Sequence, residues 1–386
     1  MRLLAAVAVS VALSSMNARA EPSAATPPDT ARAASHFRSP EDGWFDVSGF
    51  LDQRFGFLPV VSPITEPAVG YGAGAALAFM SRPLGHARAG FGRPNISAVG
   101  GAVTENGTWG AFVGDTRNWW GDQLQTRAGI VYAEVNLDFY GIGDNSLLHD
   151  HPLRYTLEPL GGLVETKFRV RQSCWWIGLN YAFATTRIRF ESSVDDPRLP
   201  DFEDDSRVGA LTPSVTYDSR DNMFTPLRGT HVRATAGLAS AAFGGDDEFQ
   251  RLRLVAIQYV HLGQDWTLGL RGDGAAVFGD TPFYLLPYVF FRGAPAMRFQ
   301  GDTIAQAETE VRWQFWSRFS LVGFVGVGAA WNDFERLEQQ QNVVAGGTGF
   351  RYELAREYGI HAGLDVGFGP DTTALYVVVG SSWSRL

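Results

Sequence analysis

Every second residue from Gln306 to Gln314 is polar: Gln306, Glu308, Glu310, Arg312 and Gln314. The opposite parity reads Ala305, Ala307, Thr309, Val311, Trp313 and Phe315, and an Arg292-Gly293 pair lies just upstream. Such a wall carries ions on one side and apolar groups on the other. Other candidates for chemistry are thinner. Residues 191–205 hold seven acids and one base, which suits either a solvated loop or a divalent-cation site. His149-Asp150-His151 hints at a metal, with no third ligand at useful spacing. Arg251, Arg253, His231 and Arg233 fall on adjacent stretches and suit a polar interior. No Gly-x-Ser-x-Gly elbow, His-Glu-x-x-His pair or phosphate-binding Walker loop occurs, and "GYGAGAALAF" lacks the glycine spacing of a dinucleotide fingerprint. We therefore expect no enzyme, no cofactor and no metal.

The elements that position these residues are strands. Met1-Arg2, the apolar run from Leu3 to Leu13 and Ala18-Arg19-Ala20 predict a secretory signal over residues 1–20. No cysteine lies near that cut, and the single Cys174 cannot form an internal disulfide. Beyond the signal no apolar run is long enough for a spanning helix. Residues after Ala20 include 30 basic and 41 acidic side chains, a formal charge of −11, which argues against nucleic acid. The 44 glycines and 50 aromatics point to many punctuated strands: a sandwich, a propeller or a barrel.

Alternation of period two predicts sixteen strands, from 55–64 and 68–81 through 265–278, 303–316 and 319–332 to 358–368 and 374–385. Most breaks alternate between tight and long, as in an up-and-down barrel; the break at 81–95 and the tight Asn106-Gly107 turn depart from this. Eight of 11 tryptophans (Trp119, Trp120, Trp175, Trp176, Trp266, Trp313, Trp316 and Trp383) fall at the ends joined by tight turns. Indoles favour the lipid–water boundary, so this clustering suggests one girdle of a membrane barrel. The odd positions of 319–331 and the even positions of 266–278 form its lipid face, leaving Arg271 and Asp273 inside.

"YDSRDNMFTPLRG" (217–229), "FRGAPAMRFQG" (291–301), "AETEVRW" (307–313) and "FVGVG" (324–328), in that order and spacing, resemble the bacterial surface-antigen superfamily of outer-membrane barrels. That family includes the BamA and TamA assembly factors and the two-partner-secretion transporters. The likeness extends over nearly all of the chain from residue 55. It implies an all-β fold, a 16-stranded antiparallel transmembrane β-barrel in the outer membrane of a Gram-negative bacterium, with an inward-folded loop between strands 11 and 12. By the same resemblance Arg292, beside Gly293, docks inside the barrel against Glu308 or Glu310, and Gln306, Arg312, Gln314, Arg271 and Asp273 line the lumen. A buried guanidinium needs such carboxylate partners.

Two departures stand out. Where many members have Phe-x-Asp-x-Gly, this chain has Gly326, so one acid partner is missing. The 34 residues from Glu21 to Arg54 are too few for the periplasmic POTRA domains of the relatives. Residues 21–54 are expected to be a periplasmic leader, flexible over the Ala-, Pro- and Ser-rich 21–40 and short and amphipathic over 44–51, with 55–386 forming the barrel. Pro59 and Pro63 in the first strand remove two ladder donors from one edge. If that edge meets the last strand, the seam is weak, as a lateral gate would require; the alternative is an extended lead-in. The last stretch ends in Leu386 with Ser382 and Ser384 on its parity, a poor match to an aromatic-ended targeting signal. The function implied is help with insertion or translocation of polypeptide or lipid, with outer-membrane lipids, lipopolysaccharide and client polypeptides or a periplasmic partner. A passive or plugged channel for small solutes and a structural barrel for a partner are the alternatives.

Overall fold

Strands with one apolar and one polar face pair side by side until the sheet curls on itself, which encloses the polar face. The computed structural model describes residues 37–51, 58–80, 95–140, 152–190, 202–332, 340–370 and 372–383. The expected signal, the leader up to residue 36, the His149–His151 cluster, residues 191–201, Ser384 and Leu386 lie outside them. Strands β1 to β4 are Leu58–Glu66, Gly70–Met80, Ile96–Thr104 and Trp109–Trp119. β5 to β8 are Leu124–Phe139, Leu153–Arg169, Trp175–Phe190 and Phe202–Asp218. β9 to β12 are Gly229–Ala239, Phe249–Leu262, Trp266–Gly279 and Thr303–Trp316, and β13 to β16 are Phe319–Trp331, Gln341–Ala355, Ile360–Gly369 and Thr372–Val379. Each pairs antiparallel with the next in one 16-stranded sheet, and β1 lies beside β16 to complete a nearly closed barrel.

The wall has the expected two faces. In β12 the odd residues from Ala305 to Phe315 are exposed or partly exposed, while Ile304, Gln306 and Glu308 are buried. In β13 Leu321, Val325 and Val327 face outward and Ser320, Val322 and Phe324 inward. A tilted strand of about ten residues crosses the hydrocarbon of a membrane. β5 to β8, with 16 or 17 residues each, are longer than that and run on to the end carrying the long loops. There Arg187 meets Glu203 at 3.0 Å, so part of the acidic stretch read as a loop is strand β8 and is paired.

Two expectations need correction. Of the eight tryptophans, Trp176 and Trp383 are buried rather than part of an outer girdle; Arg169 lies over the Trp176 ring. The remaining six are exposed, and Trp266 stacks on its ladder partner Trp313. The last strand stops at Val379, not near 385, because Gly380 adopts φ +77° and turns the chain out of the ladder. Ser381 N–H then bonds the Phe224 carbonyl at 2.6 Å in the 219–228 connection.

Ahead of β1, residues 37–47 form a turn closed by an Arg38–Phe45 bridge, followed by a short helix α1, Ser48–Leu51. This piece is pinned by Arg318, fully buried in the β12–β13 turn. Arg318 donates to Asp42 Oδ2 at 2.6 Å and Asp46 Oδ2 at 2.7 Å, while Trp44 meets Trp316 and Phe319 edge-on. The Arg318 hydrogen bond holds the Asp42 carboxyl down at about 2 from an ordinary 3.8. A depressed carboxylate stabilises docking above its free pKa and loses that contribution as pH falls through the bound value. Docking of residues 37–47 is therefore expected to be full above pH 4 and to fail as pH falls toward 2, followed by protease cleavage of this segment on the intact barrel.

Candidate functional site

The β11–β12 connection, residues 280–302, brings Arg292 onto the charged parity of β12. Pro282 starts a turn of 3₁₀ helix at Phe283–Leu285, and a Tyr288–Gln300 bridge closes the segment into a loop. Arg292 is 7% exposed. Its Nη2 donates to Glu308 Oε1 at 2.8 Å and Glu310 Oε2 at 2.7 Å. Its Nη1 donates to Asp365 Oδ2 at 2.6 Å and Ser382 Oγ at 2.9 Å. The guanidinium carbon lies 3.5 Å from the centroid of the Phe324 ring, a close cation–π contact.

Glycines allow the backbone this close. Gly293 has φ +101°, and a Cβ there would stand 2.7 Å from the Phe368 backbone. Gly326, where the relatives' acid was expected, leaves room for Phe291: a Cβ at 326 would meet that ring at 2.6 Å. Phe291, Val289, Ala294 and Phe299 pack with Ile304, Ala330 and Val343 as one buried apolar cluster. Tyr284 joins a second cluster with Tyr155 and Ile188, across the sheet from β12.

The ions form a chain. Arg253 reaches Asp273 at 2.9 Å, Arg271 bridges Asp273 at 3.0 Å and Glu308 at 3.2 Å, and Arg292 continues to Glu310 and Asp365. Arg351 ends it on Asp365 at 2.8 Å. Four guanidiniums thus meet four carboxylates, and that balance is what makes burying them tolerable. Gln306 ties in through Asp273 at 3.2 Å and through the Phe290 N–H at 2.8 Å.

Of the residues singled out in the sequence, Arg292, Gly293, Glu308, Glu310, Gln306, Arg271 and Asp273 are brought together. Arg312 shares their parity but lines a small cavity with Tyr259, Thr267, Glu310 and Arg351. Gln314 bonds the Ser317 carbonyl at the turn, away from the cluster. Sequence reasoning missed Asp365, Arg351 and the tail. Trp383 Nε1 donates to Glu308 Oε2 at 2.7 Å, and the Tyr259 hydroxyl bonds Ser381 Oγ at 2.8 Å. The one available signal for Asp365 was an acid alternating with Gly363, Gly367 and Gly369.

Pro59 and Pro63 lie at the free edge. Glu105 N–H bonds the Tyr71 carbonyl at 2.8 Å, so the backbone groups of Tyr71, Ala73, Ala75 and Leu77 point to β3. Those of Gly72, Gly74 and Ala76 therefore point to β1, where they face Ile64, Ser62 and Val60. Pro59 and Pro63 have the other parity, and their nitrogens point toward β16. Pairing with β2 along the whole of Leu58–Glu66 excludes the lead-in alternative. No ladder joins β1 to β16 among the described residues. The 280–302 segment touches both sides of this seam: Ala296 N–H bonds Glu66 of β1 at 3.1 Å, and Gly293 N–H bonds the Tyr376 hydroxyl of β16 at 2.9 Å.

Residues 177–370, half of the chain and including the whole ion cluster but for Ser382 and Trp383, match the family model of the Omp85 superfamily domain. The chain belongs to the Omp85 superfamily. Comparison with curated proteins finds no match. In fold this Omp85 barrel is similar to BamA from Haemophilus ducreyi lacking POTRA domains 1-3, with TM-score 0.58 and 12% identity over 86% of this chain and 71% of that one. It is also similar to CdiB from Escherichia coli, with TM-score 0.58 and 10% identity over 89% of this chain and 66% of that one. CdiB from Acinetobacter baumannii gives TM-score 0.52 and 9% identity over 84% and 59%. The chain spans less than two thirds of either CdiB. At these identities the likeness is one of fold; it is the family match that makes this an outer-membrane β-barrel of the Omp85 type.

Proposed function

We propose that this barrel assists the insertion or translocation of polypeptide or lipid at the outer membrane of a Gram-negative bacterium by opening between β1 and β16. One observation carries the reading: among the described residues the seam lacks a ladder, and two prolines withhold donors from its β1 edge. Backbone groups left unpaired against hydrocarbon cost several kcal/mol each, so such an edge favours any strand or chain that supplies partners. In this reading residues 280–302 are an inward-folded latch. Arg292, docked on Glu308, Glu310 and Asp365, holds Gly293 on β16 and Ala296 on β1, bridging the seam from the lumen side. Client polypeptide, lipid and lipopolysaccharide meet the open edge, and a periplasmic partner delivers the client at the short-turn end.

The test is folding of a second outer-membrane barrel into liposomes with and without this protein. Faster folding with it supports the reading; equal rates contradict it. Steady conductance in planar bilayers that rises on Arg292→Ala, without any insertion effect, would instead favour the solute channel. The prolines give a sharper form. Pro59→Val with Pro63→Val restores two donors worth about 1 kcal/mol each, so disulfide crosslinking of cysteines placed across β1 and β16 should rise and insertion should fall. No change in either would count against the gate.

A further inference from the structure

A second charged cluster sits apart from the Arg292 chain, on the buried face of β5, β6 and β9 in the short-turn half, and its charges do not balance. Glu165 is buried, and three bases converge on it: Arg233 Nη2 at 2.7 Å, Lys167 Nζ at 3.3 Å and Arg127 Nη1 at 3.7 Å. The neighbouring acid, Asp218, is taken by Arg220 at 2.9 Å. Two positive charges are left over among the described residues. Among the described residues their surroundings also leave buried polar atoms without a hydrogen-bond partner: Thr216 Oγ1, Arg233 Nε and His231 Nδ1. His231 Nδ1 lies 3.6 Å from Asp218, beyond hydrogen-bond reach.

These atoms share one place. Thr216 is the ladder partner of Arg233, and Lys167 pairs with Gly178, which pairs with Ser214. Gly178 makes a low floor: a Cβ there would stand 2.6 Å from Ser214 Oγ and 2.9 Å from Lys167 Cγ. Arg233 crosses this floor from β9 to reach Glu165 on β6. Arg127 is 48% exposed although its parity faces inward, so water reaches the cluster from the lumen.

We propose that Arg127, Lys167 and Arg233, with the Thr216 hydroxyl, form a binding site for a phosphate group carried by a water-soluble molecule in the lumen. A surplus of two charges matches a dianionic phosphate better than a carboxylate, and guanidinium and ammonium groups with one hydroxyl are the donors such oxygens take. A bilayer headgroup is not the source. The lipid side of the same strands presents Val164, Ile177 and Val215, all exposed and apolar.

The experiment is calorimetric titration of inorganic phosphate into the full chain folded in nanodiscs of neutral phosphatidylcholine at low salt, with heat-dependent gel mobility as the folding control. Saturable binding is expected. Arg233→Gln should weaken it about tenfold or more, and Thr216→Val several-fold, because each removes a donor to a charged acceptor. Glu165→Gln should tighten binding, since it removes the one competing negative charge. If Arg233→Gln does not fold, Thr216→Val and Glu165→Gln decide. Absence of saturable binding, unchanged affinity in folded Arg233→Gln and Thr216→Val, or weaker binding in Glu165→Gln would each overturn the site. Binding seen only with phosphatidic acid in the bilayer would overturn the soluble source.

Discussion

Arg292→Ala is expected to lower the unfolding free energy by about 3–5 kcal/mol, the range for removing one partner from a buried ion pair, and to expose residues 280–302 to protease. The wild-type side chain offers four hydrogen bonds to Glu308, Glu310, Asp365 and Ser382 and covers Phe324. Without it Glu310 loses its guanidinium at 2.7 Å and the largely buried chain of four cations and four anions gains a net negative charge. Arg292→Lys should recover only part of the loss, because one ammonium cannot fork across acceptors on two sides. Urea titration of tryptophan emission in micelles, with limited proteolysis, measures both effects. Wild-type stability in Arg292→Ala would mean that apolar packing of Phe291 and Val289 alone holds the segment.

Asp365→Ala is expected to cost a similar 3–5 kcal/mol, for the complementary reason. Asp365 is fully buried and accepts from both Arg292 and Arg351. Its loss leaves Arg351 with the Phe350 carbonyl at 3.2 Å as its other acceptor. Because Arg292 and Asp365 touch, the double variant should fall short of the sum of the singles by about 1–3 kcal/mol. Additive losses would show that the two residues act separately.

Most of the fold was legible because its signal is local. Period-two alternation placed 303–316 and 319–332 almost on β12 and β13, and it put Arg271 and Asp273 on the inner face. What escaped depended on contacts between distant strands. Gly326 stands where the family pattern has an acid, yet nothing local said that β15, two strands further on, supplies Asp365. The tail escaped for another reason: Trp383 carries the outward parity of a regular strand, and the turn at Gly380 reverses that reading by sending the indole to Glu308. Likewise Arg318, in a two-residue turn that would normally be solvated, is buried by a segment more than 270 positions away.

Fluorine NMR of 5-fluorotryptophan-labelled protein in nanodiscs containing lipids with a nitroxide on the acyl chain tests the two-faced wall in one spectrum. Trp266, Trp313 and Trp316 should broaden, whereas Trp176 and Trp383 should stay sharp. Equal broadening of Trp383 and Trp313 would mean that the charged parity around Arg292 faces lipid, which would contradict the two-faced wall and the latch proposed on it.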